Sequence, residues 1–168
     1  MKIFRFGAIS VFLLISSLSF AQDKIGHINS AELLSMMPEV KVADTELQRV
    51  AKQLEDQERN MIMEYQRKMS ELEAQQDSLM PSILEMRYNE LQDMQARIQN
   101  FQQKAQDDLM KKKEQIYSPI LERAENSIRE VAKENGYKYV LDSGMGAVLY
   151  FEETDDIMPL VKKKLNLE

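Results

Sequence analysis

The sequence of 168 residues contains no cysteine and no tryptophan. Without cysteine the chain forms no disulfide, no thiolate metal site and no lipid anchor on an N-terminal cysteine. Glycine is also scarce: of five glycines, none lies between Gly26 and Gly136. A stretch of more than a hundred residues without glycine, rich in Glu, Gln, Lys, Leu and Met, predicts long helices.

The N-terminus has the three parts of a secretory signal peptide. A basic start at 1–5 is followed by an apolar run at 6–18 that is too short to span a bilayer comfortably, and small residues stand at the −3 and −1 positions of a cleavage site after Ala21. We predict that residues 1–21 are removed on export to the periplasm; a retained membrane helix is the alternative. No second apolar run of ~18 residues follows, so we expect no integral membrane segment afterwards.

Cleavage changes the charge of the chain. Removing 21 of the 168 residues leaves 147, and the loss of Lys2 and Arg5 leaves 20 basic residues against 28 acidic ones, a formal charge of −8. Nucleic-acid binding is not expected of an exported acidic chain, and we interpret the basic run at 111–113 as a solvated face.

No set of residues indicates catalysis. The sequence has no Ser/His/Asp set, no metal-ligand set and no phosphate-binding glycine loop, so we predict neither an enzyme nor a cofactor. His27, the only histidine, is expected to be a packing residue on a strand. The acidic run at 152–156 lacks the spacing of a known Ca²⁺ loop and is expected to be a solvated turn that caps a helix.

Two long amphipathic segments flank a break at 77–82, and each has an apolar stripe with steps mostly of three, four and seven. The first stripe contains Leu47, Val50, Leu54, Met61, Tyr65, Met69, Leu72 and Leu79, and the second contains Leu84, Tyr88, Leu91, Ile98, Phe101, Ala105 and Leu109. Pro81 disfavours helix at the preceding residue, and Ser82 with Glu85 has capping-box spacing. We predict an antiparallel helical hairpin over 41–118; two helices of an ordinary bundle are the alternative.

The two ends of the chain predict a small β body formed by residues 22–40 and 119–168. The first part is predicted to contain a strand at 25–28 and a short helix capped by Asn29 or Ser30. In the second part, a helix starts or kinks near Pro119 and stops at Asn135-Gly136. Strands at 137–142 and 147–151, joined as a β-hairpin, and a last helix at 157–165 follow. The predicted fold class is therefore mostly α with a small three-stranded β body (α+β).

Three stretches of sequence carry a family resemblance: KIGHIN at 24–29, SPILERAENSIREVAKENGYKYVLD at 118–142, and the DI…V…KLN ending at 156–166. Together with the order of elements, they resemble the Skp/OmpH family of periplasmic chaperones. The resemblance implies a homotrimer in which strands of three subunits share a central body. Three helical hairpins then project as tentacles around a cavity that holds unfolded outer-membrane β-barrel proteins.

The function implied by this resemblance is an ATP-independent holdase that prevents aggregation of outer-membrane proteins in transit. A structural coiled-coil adaptor or spacer in the periplasm is the alternative. The best-known members are strongly basic, whereas residues 41–118 hold 12 basic and 15 acidic residues. We therefore carry over neither a basic funnel nor a lipopolysaccharide site. The family ending often has Thr where this chain has Met158, so Asp156 is expected to cap the last helix.

Two groups of residues are the candidate sites. A small sheet is marginal alone and its edges need partners, so one group is expected in the body core or subunit contact, with packing inside one subunit as the alternative. Its members are Ile25, Ile28, Val140, Leu141, Val148 and Leu149. The other group consists of methionines off the stripes or at the tip, whose flexible side chains suit varied clients. They are Met63, Met80, Met86 and Met110.

Overall fold

A computed structural model describes residues 24–167, so the predicted signal peptide lies outside the described residues. The elements are β1 (Lys24–Ile28), α1 (Ser30–Met36), α2 (Pro38–Gln75), α3 (Pro81–Glu134), β2 (Tyr137–Asp142) and α4 (Met158–Leu165), with a 3₁₀ turn at Glu153–Asp155. The structure is mostly helical with a small sheet, as predicted. Between residues 24 and 167, no helix combines the length and the apolarity needed to cross a membrane.

The helices α2 and α3 form the predicted antiparallel hairpin. Polar pairs cross between them in reversed order, since Lys68 pairs with Glu90 near the tip and Gln102 donates to Glu58 (2.7 Å) further down. The reversal occupies residues 76–80. The predicted capping box was wrong, because the helix begins at Pro81 and no side chain caps it. Proline lacks an N–H and has a helical φ, so it takes the first helical position and leaves Ser82 inside the helix.

The helix α3 runs for 54 residues and passes through Pro119 without ending. Proline inside a helix removes one backbone hydrogen bond and costs about 3 kcal/mol. Here the neighbouring residues Ile116, Tyr117 and Ile120 pack against the body core, and this tertiary packing offsets the loss. One continuous helix therefore joins the hairpin to the body.

The body core lies where the sheet meets α1, the base of the hairpin and α4. Its buried residues include Leu33, Met37, Ile157 and Val161, which are almost fully enclosed. Gly26 allows β1 to approach closely, because a Cβ at this position would lie 2.9 Å from Ile157 Cγ2 and from the Tyr137 ring. The body is therefore assembled from both ends of the described chain.

The predicted β-hairpin was wrong. Strand β2 pairs with β1 in parallel, and the sheet in the described residues has two strands. Residues 147–151 form no strand. The reason is geometric: Asp156 bridges to His27, and the Ile157 N–H donates to the His27 carbonyl (3.0 Å) on β1. The chain after β2 must return to β1, so it does not lie along the free edge of β2.

The local signals for helix ends in the body were confirmed at the start of α1 and at the end of α3. The predicted Asp156 cap of α4 was wrong, because the cap residue is Ile157 and no side chain caps that helix from the N-cap position. The side chain of Asn29 accepts from the Glu32 N–H at 3.1 Å, and Asp156 Oδ1 accepts from the Met158 N–H at 2.8 Å. After Asn135, Gly136 has a φ of +72°, which favours glycine and ends α3. These short-range interactions set where the helices of the body begin and end.

An insertion of a few Gly-Ser residues distinguishes the turn from the arm. After Ser78 we expect little loss of thermal stability, because lengthening a loop costs well under about 1 kcal/mol. After Leu54 the same insertion places glycines in a helix, at about 1 kcal/mol each, and shifts every later residue of the stripe. Circular dichroism melting curves of both variants test this. Equal destabilisation by the two insertions contradicts the position of the turn.

Candidate functional site

One face of the sheet is left open. Ile25 pairs with Tyr139, and His27 pairs with Leu141, so these side chains share a face. On the opposite face, Ile28 and Val140 pack with the helices of the core. The exposed fractions of Ile25, Tyr139 and Leu141 are 47%, 63% and 45%. We call these three residues the open face.

The segment after β2 adds further exposed apolar side chains. Met145 is 80% exposed, Leu149 97% and Tyr150 79%, whereas Val148 is half-buried. We call residues 145–151 the apolar segment. It carries large apolar side chains in turn or irregular backbone that belongs to no strand of the described residues. Such a segment has unpaired backbone groups and apolar side chains available to another chain.

His27 anchors the end of the apolar segment to the sheet. Its ring lies 4.1 Å from the ring of Phe151, centroid to centroid, and its Nε2 lies 3.0 Å from the Glu152 carbonyl oxygen. A carbonyl only accepts, so Nε2 carries the proton and donates it. The side chain is buried, as expected of a packing residue. Among residues 24–167, no group of three or more side chains is arranged to bind a metal ion.

Asp142 anchors the start of the same segment. Its carboxylate accepts from the hydroxyl and the N–H of Ser30, and from the Gly144 N–H at 2.8 Å. The Ser30 hydroxyl is the largest influence that lowers the pKa of Asp142; burial opposes it, and the two N–H groups add to the lowering. This carboxylate therefore ties the end of β2 to the start of α1 and to the turn.

The four candidate methionines of the arms are all exposed. The exposed fractions of Met63, Met80, Met86 and Met110 lie between 52% and 70%. Met94, in contrast, is buried between the arms, and Met61 and Met69 of the stripe are half-buried. The stripes thus separate methionines that hold the hairpin together from methionines that face outwards.

The middle of the arms is only loosely packed. Within α2, the buried residues are Ala43 near the base and Leu72 near the tip, and α3 has no buried residue between Met94 and Ile120. Most of the ion pairs in the arms join residues of one helix, such as Lys52 with Asp56. The arms therefore present charges that are already paired locally, beside a half-buried apolar stripe.

The structure divides the six body residues predicted from the sequence. Ile25 and Leu141 lie on the open face, Ile28 and Val140 pack within the subunit, and Val148 and Leu149 lie on the apolar segment. The sequence reasoning missed Tyr139, Tyr150, Phe151 and Met145. The alternation from Tyr137 to Leu141 could have placed Tyr139 with Leu141 on one face.

Comparison with known proteins then assigns the chain to a family. The family model described as outer membrane protein (OmpH-like) matches residues 24–165. The chain belongs to the OmpH-like family. No curated protein matches this OmpH-like chain significantly.

A solved structure has a similar fold. The crystal structure of a Caulobacter crescentus protein, described as an OmpH-like outer membrane chaperone, matches with a TM-score of 0.75. The match has 18% sequence identity and covers 87% of this chain and 85% of the other. At this identity the likeness shows a shared fold.

The Asp142 anchor predicts a pH-dependent loss of stability. We expect Asp142→Asn to lower the free energy of unfolding by about 1 kcal/mol at pH 7, because the hydrogen bonds lose their charged acceptor. The pKa of Asp142 is lowered in the folded state, so its contribution is full above the ordinary aspartate pKa of about 3.9. It declines as the pH falls through the lowered pKa.

Urea unfolding of the wild type and the Asn variant at several pH values measures this difference, which should vanish below the lowered pKa. The exposed Asp77 in the hairpin turn supplies a control, since Asp77→Asn should have almost no effect. If the free energies of unfolding of the wild type and Asp142→Asn differ as much at the lowest pH as at pH 7, the role of the Asp142 carboxylate as a charged acceptor is contradicted.

Proposed function

We propose that this OmpH-like protein is an ATP-independent periplasmic holdase that binds unfolded outer-membrane β-barrel proteins and prevents their aggregation. The observation that carries the proposal is a long helical hairpin with four exposed methionines along it. Methionine side chains are flexible and polarizable, so they adapt to clients of different sequence. Membership of the OmpH-like family supports the same function.

The proposed assembly is a homotrimer joined through the open face and the apolar segment. These surfaces expose Tyr139, Leu149 and Tyr150, whose burial is favourable by about 25 cal/mol per Å² of apolar surface. A two-stranded sheet is also marginal without further partners. A second and third copy of the chain would supply those partners and place three arms around one space.

Client binding is proposed to rest on many weak apolar contacts made by three arms together. Tethering raises the effective concentration of each contact, so single contacts can be weak while the client is held for long. Charge contributes little in this mechanism, because residues 41–118 carry 12 basic and 15 acidic residues and many of them pair within one helix. Added salt should therefore weaken holding only slightly.

The assembly is tested with a charge placed on the proposed interface. Leu149 is almost fully exposed in one subunit, so Leu149→Asp should leave the subunit folded and place an unpaired charge between subunits. We expect light scattering at micromolar concentration to give three subunit masses for the wild type and one for the variant. Val42→Asp, on an exposed position of α2, should remain trimeric.

Either a monomeric wild type or a trimeric Leu149→Asp variant would contradict the proposed interface. Leu149 is a better position for this test than Val140. An aspartate at Val140 would enter the core of the subunit itself and could unfold it.

Holding is tested with methionine variants in an aggregation assay. We expect the wild type, without nucleotide, to delay light scattering by an unfolded outer-membrane β-barrel protein after dilution from denaturant. Changing Met63, Met80, Met86 and Met110 together to Ser should reduce this delay severalfold while the trimer persists. The same four changed to Leu should retain most activity, because leucine keeps the apolar surface.

Two results would count against this mechanism. A Ser variant as active as the wild type would remove these methionines from client binding. A wild-type trimer that delays aggregation of no unfolded β-barrel protein, but binds one folded partner, would favour a structural adaptor.

A further inference from the structure

We propose that Met63, Met80, Met86 and Met110 are sites of reversible oxidation, and that their conversion to sulfoxides by a peroxide or hypochlorite switches client holding off. This inference rests on the proposed holdase function, because it concerns the regulation of the same surface. It adds a modification site and the class of reagent that acts there.

The distribution of methionine in the structure separates reactive from protected side chains. Met63, Met80, Met86 and Met110 are more than half exposed, whereas Met37, Met94 and Met158 are 7% exposed or less. Oxidation of methionine follows the access of the oxidant to sulfur. The arm methionines are therefore expected to react first, and the core methionines last.

The absence of cysteine makes methionine the main target. A thiolate would otherwise react with the same oxidants, but the sequence contains 12 methionines and no cysteine. Of the other described methionines, Met36 and Met145 also have exposed side chains. Met145 belongs to the apolar segment of the proposed interface, whereas Met36 is 36% exposed in α1, outside the arms and outside that interface, and so provides the control site.

The reaction is a two-electron oxygen transfer. The thioether sulfur attacks one oxygen of the peroxide, the O–O bond breaks, an S–O bond forms, and the peroxide leaves as water after proton transfer. The sulfur is oxidised and the peroxide is reduced. Methionine sulfoxide reductases, one for each sulfoxide epimer, return the sulfur to the thioether with two electrons and two protons from a dithiol, which becomes a disulfide while the oxygen leaves as water, so the modification is reversible.

Oxidation of an exposed arm methionine has a different effect from oxidation of a methionine in a core. A sulfoxide is polar and weakens the apolar contacts of an exposed methionine, but it leaves the hairpin intact because these four side chains do not hold the helices together. Holding depends on many contacts at once, so weakening several contacts in each arm lowers the overall affinity for the client severalfold or more. Oxidation thus changes the surface for clients and not the fold.

The experiment uses the full mature chain treated with a limited dose of hydrogen peroxide. Peptide mass spectrometry measures the oxidised fraction at each methionine, circular dichroism measures helicity, and the aggregation assay measures holding. We expect the four arm methionines to be oxidised before Met37, Met94 and Met158, holding to fall severalfold, and helicity to stay constant. Treatment with both reductases should restore holding.

Two variants isolate the arm methionines. The quadruple Leu variant of the four should keep its holding after peroxide, and Met36→Leu, in α1 of the body, should lose it as the wild type does. Holding that survives oxidation of all four methionines would overturn the proposal, as would a loss of holding that follows a loss of helicity. A reduced wild type that holds no client would instead refute the proposed function, so the two failures are distinguishable.

Discussion

The parallel pairing of β1 with β2 is the contact on which the rest of the structure depends. These strands lie at opposite ends of a segment of more than a hundred residues, and they can pair only if α2 and α3 leave the body and return to it. The pairing directs Ile28 and Val140 towards the helices, and it leaves Ile25, Tyr139 and Leu141 on the other side of the sheet. One small sheet therefore determines both where the core lies and which apolar side chains of the sheet stay exposed.

The same arrangement explains the loose packing of the arms. Each arm has a narrow apolar stripe, and the two stripes cover one another while no further element of the described chain covers them. Buried residues are accordingly confined to the ends, with Ala43 near the base and Leu72, Leu91 and Met94 towards the tip. Segments with few buried contacts open more readily than a core does. The arms are therefore expected to open locally more readily than the body core.

Sequence patterns predicted those features that depend on neighbours in the chain. The Asn29 cap, the Asn135-Gly136 stop and the exposure of the methionines that lie off the apolar stripes follow from spacing over a few residues. The β-hairpin prediction was wrong because alternation at 147–151 indicates extended backbone but does not say which strand would pair with it. The contact of Asp156 with β1, far away in sequence, determines the path of this segment instead. The helix continues through Pro119 because packing against the body core outweighs the loss of one backbone hydrogen bond, and the local sequence does not indicate this packing. The open face was only partly predicted, since its membership depends on the parallel register of β1 and β2.

The long connection between β1 and β2 also bears on the order in which the molecule is built. During synthesis, β1 is made first, and more than a hundred residues follow before its partner β2 is made. The hairpin can begin to form through contacts that are close in sequence around its turn, and such contacts form fastest. Once α2 and α3 have packed against each other, β1 and β2 lie close together. Most of the entropy cost of closing the long connection between them has then already been met. We therefore expect the arm to fold before the body, so that the sheet and its exposed face form last.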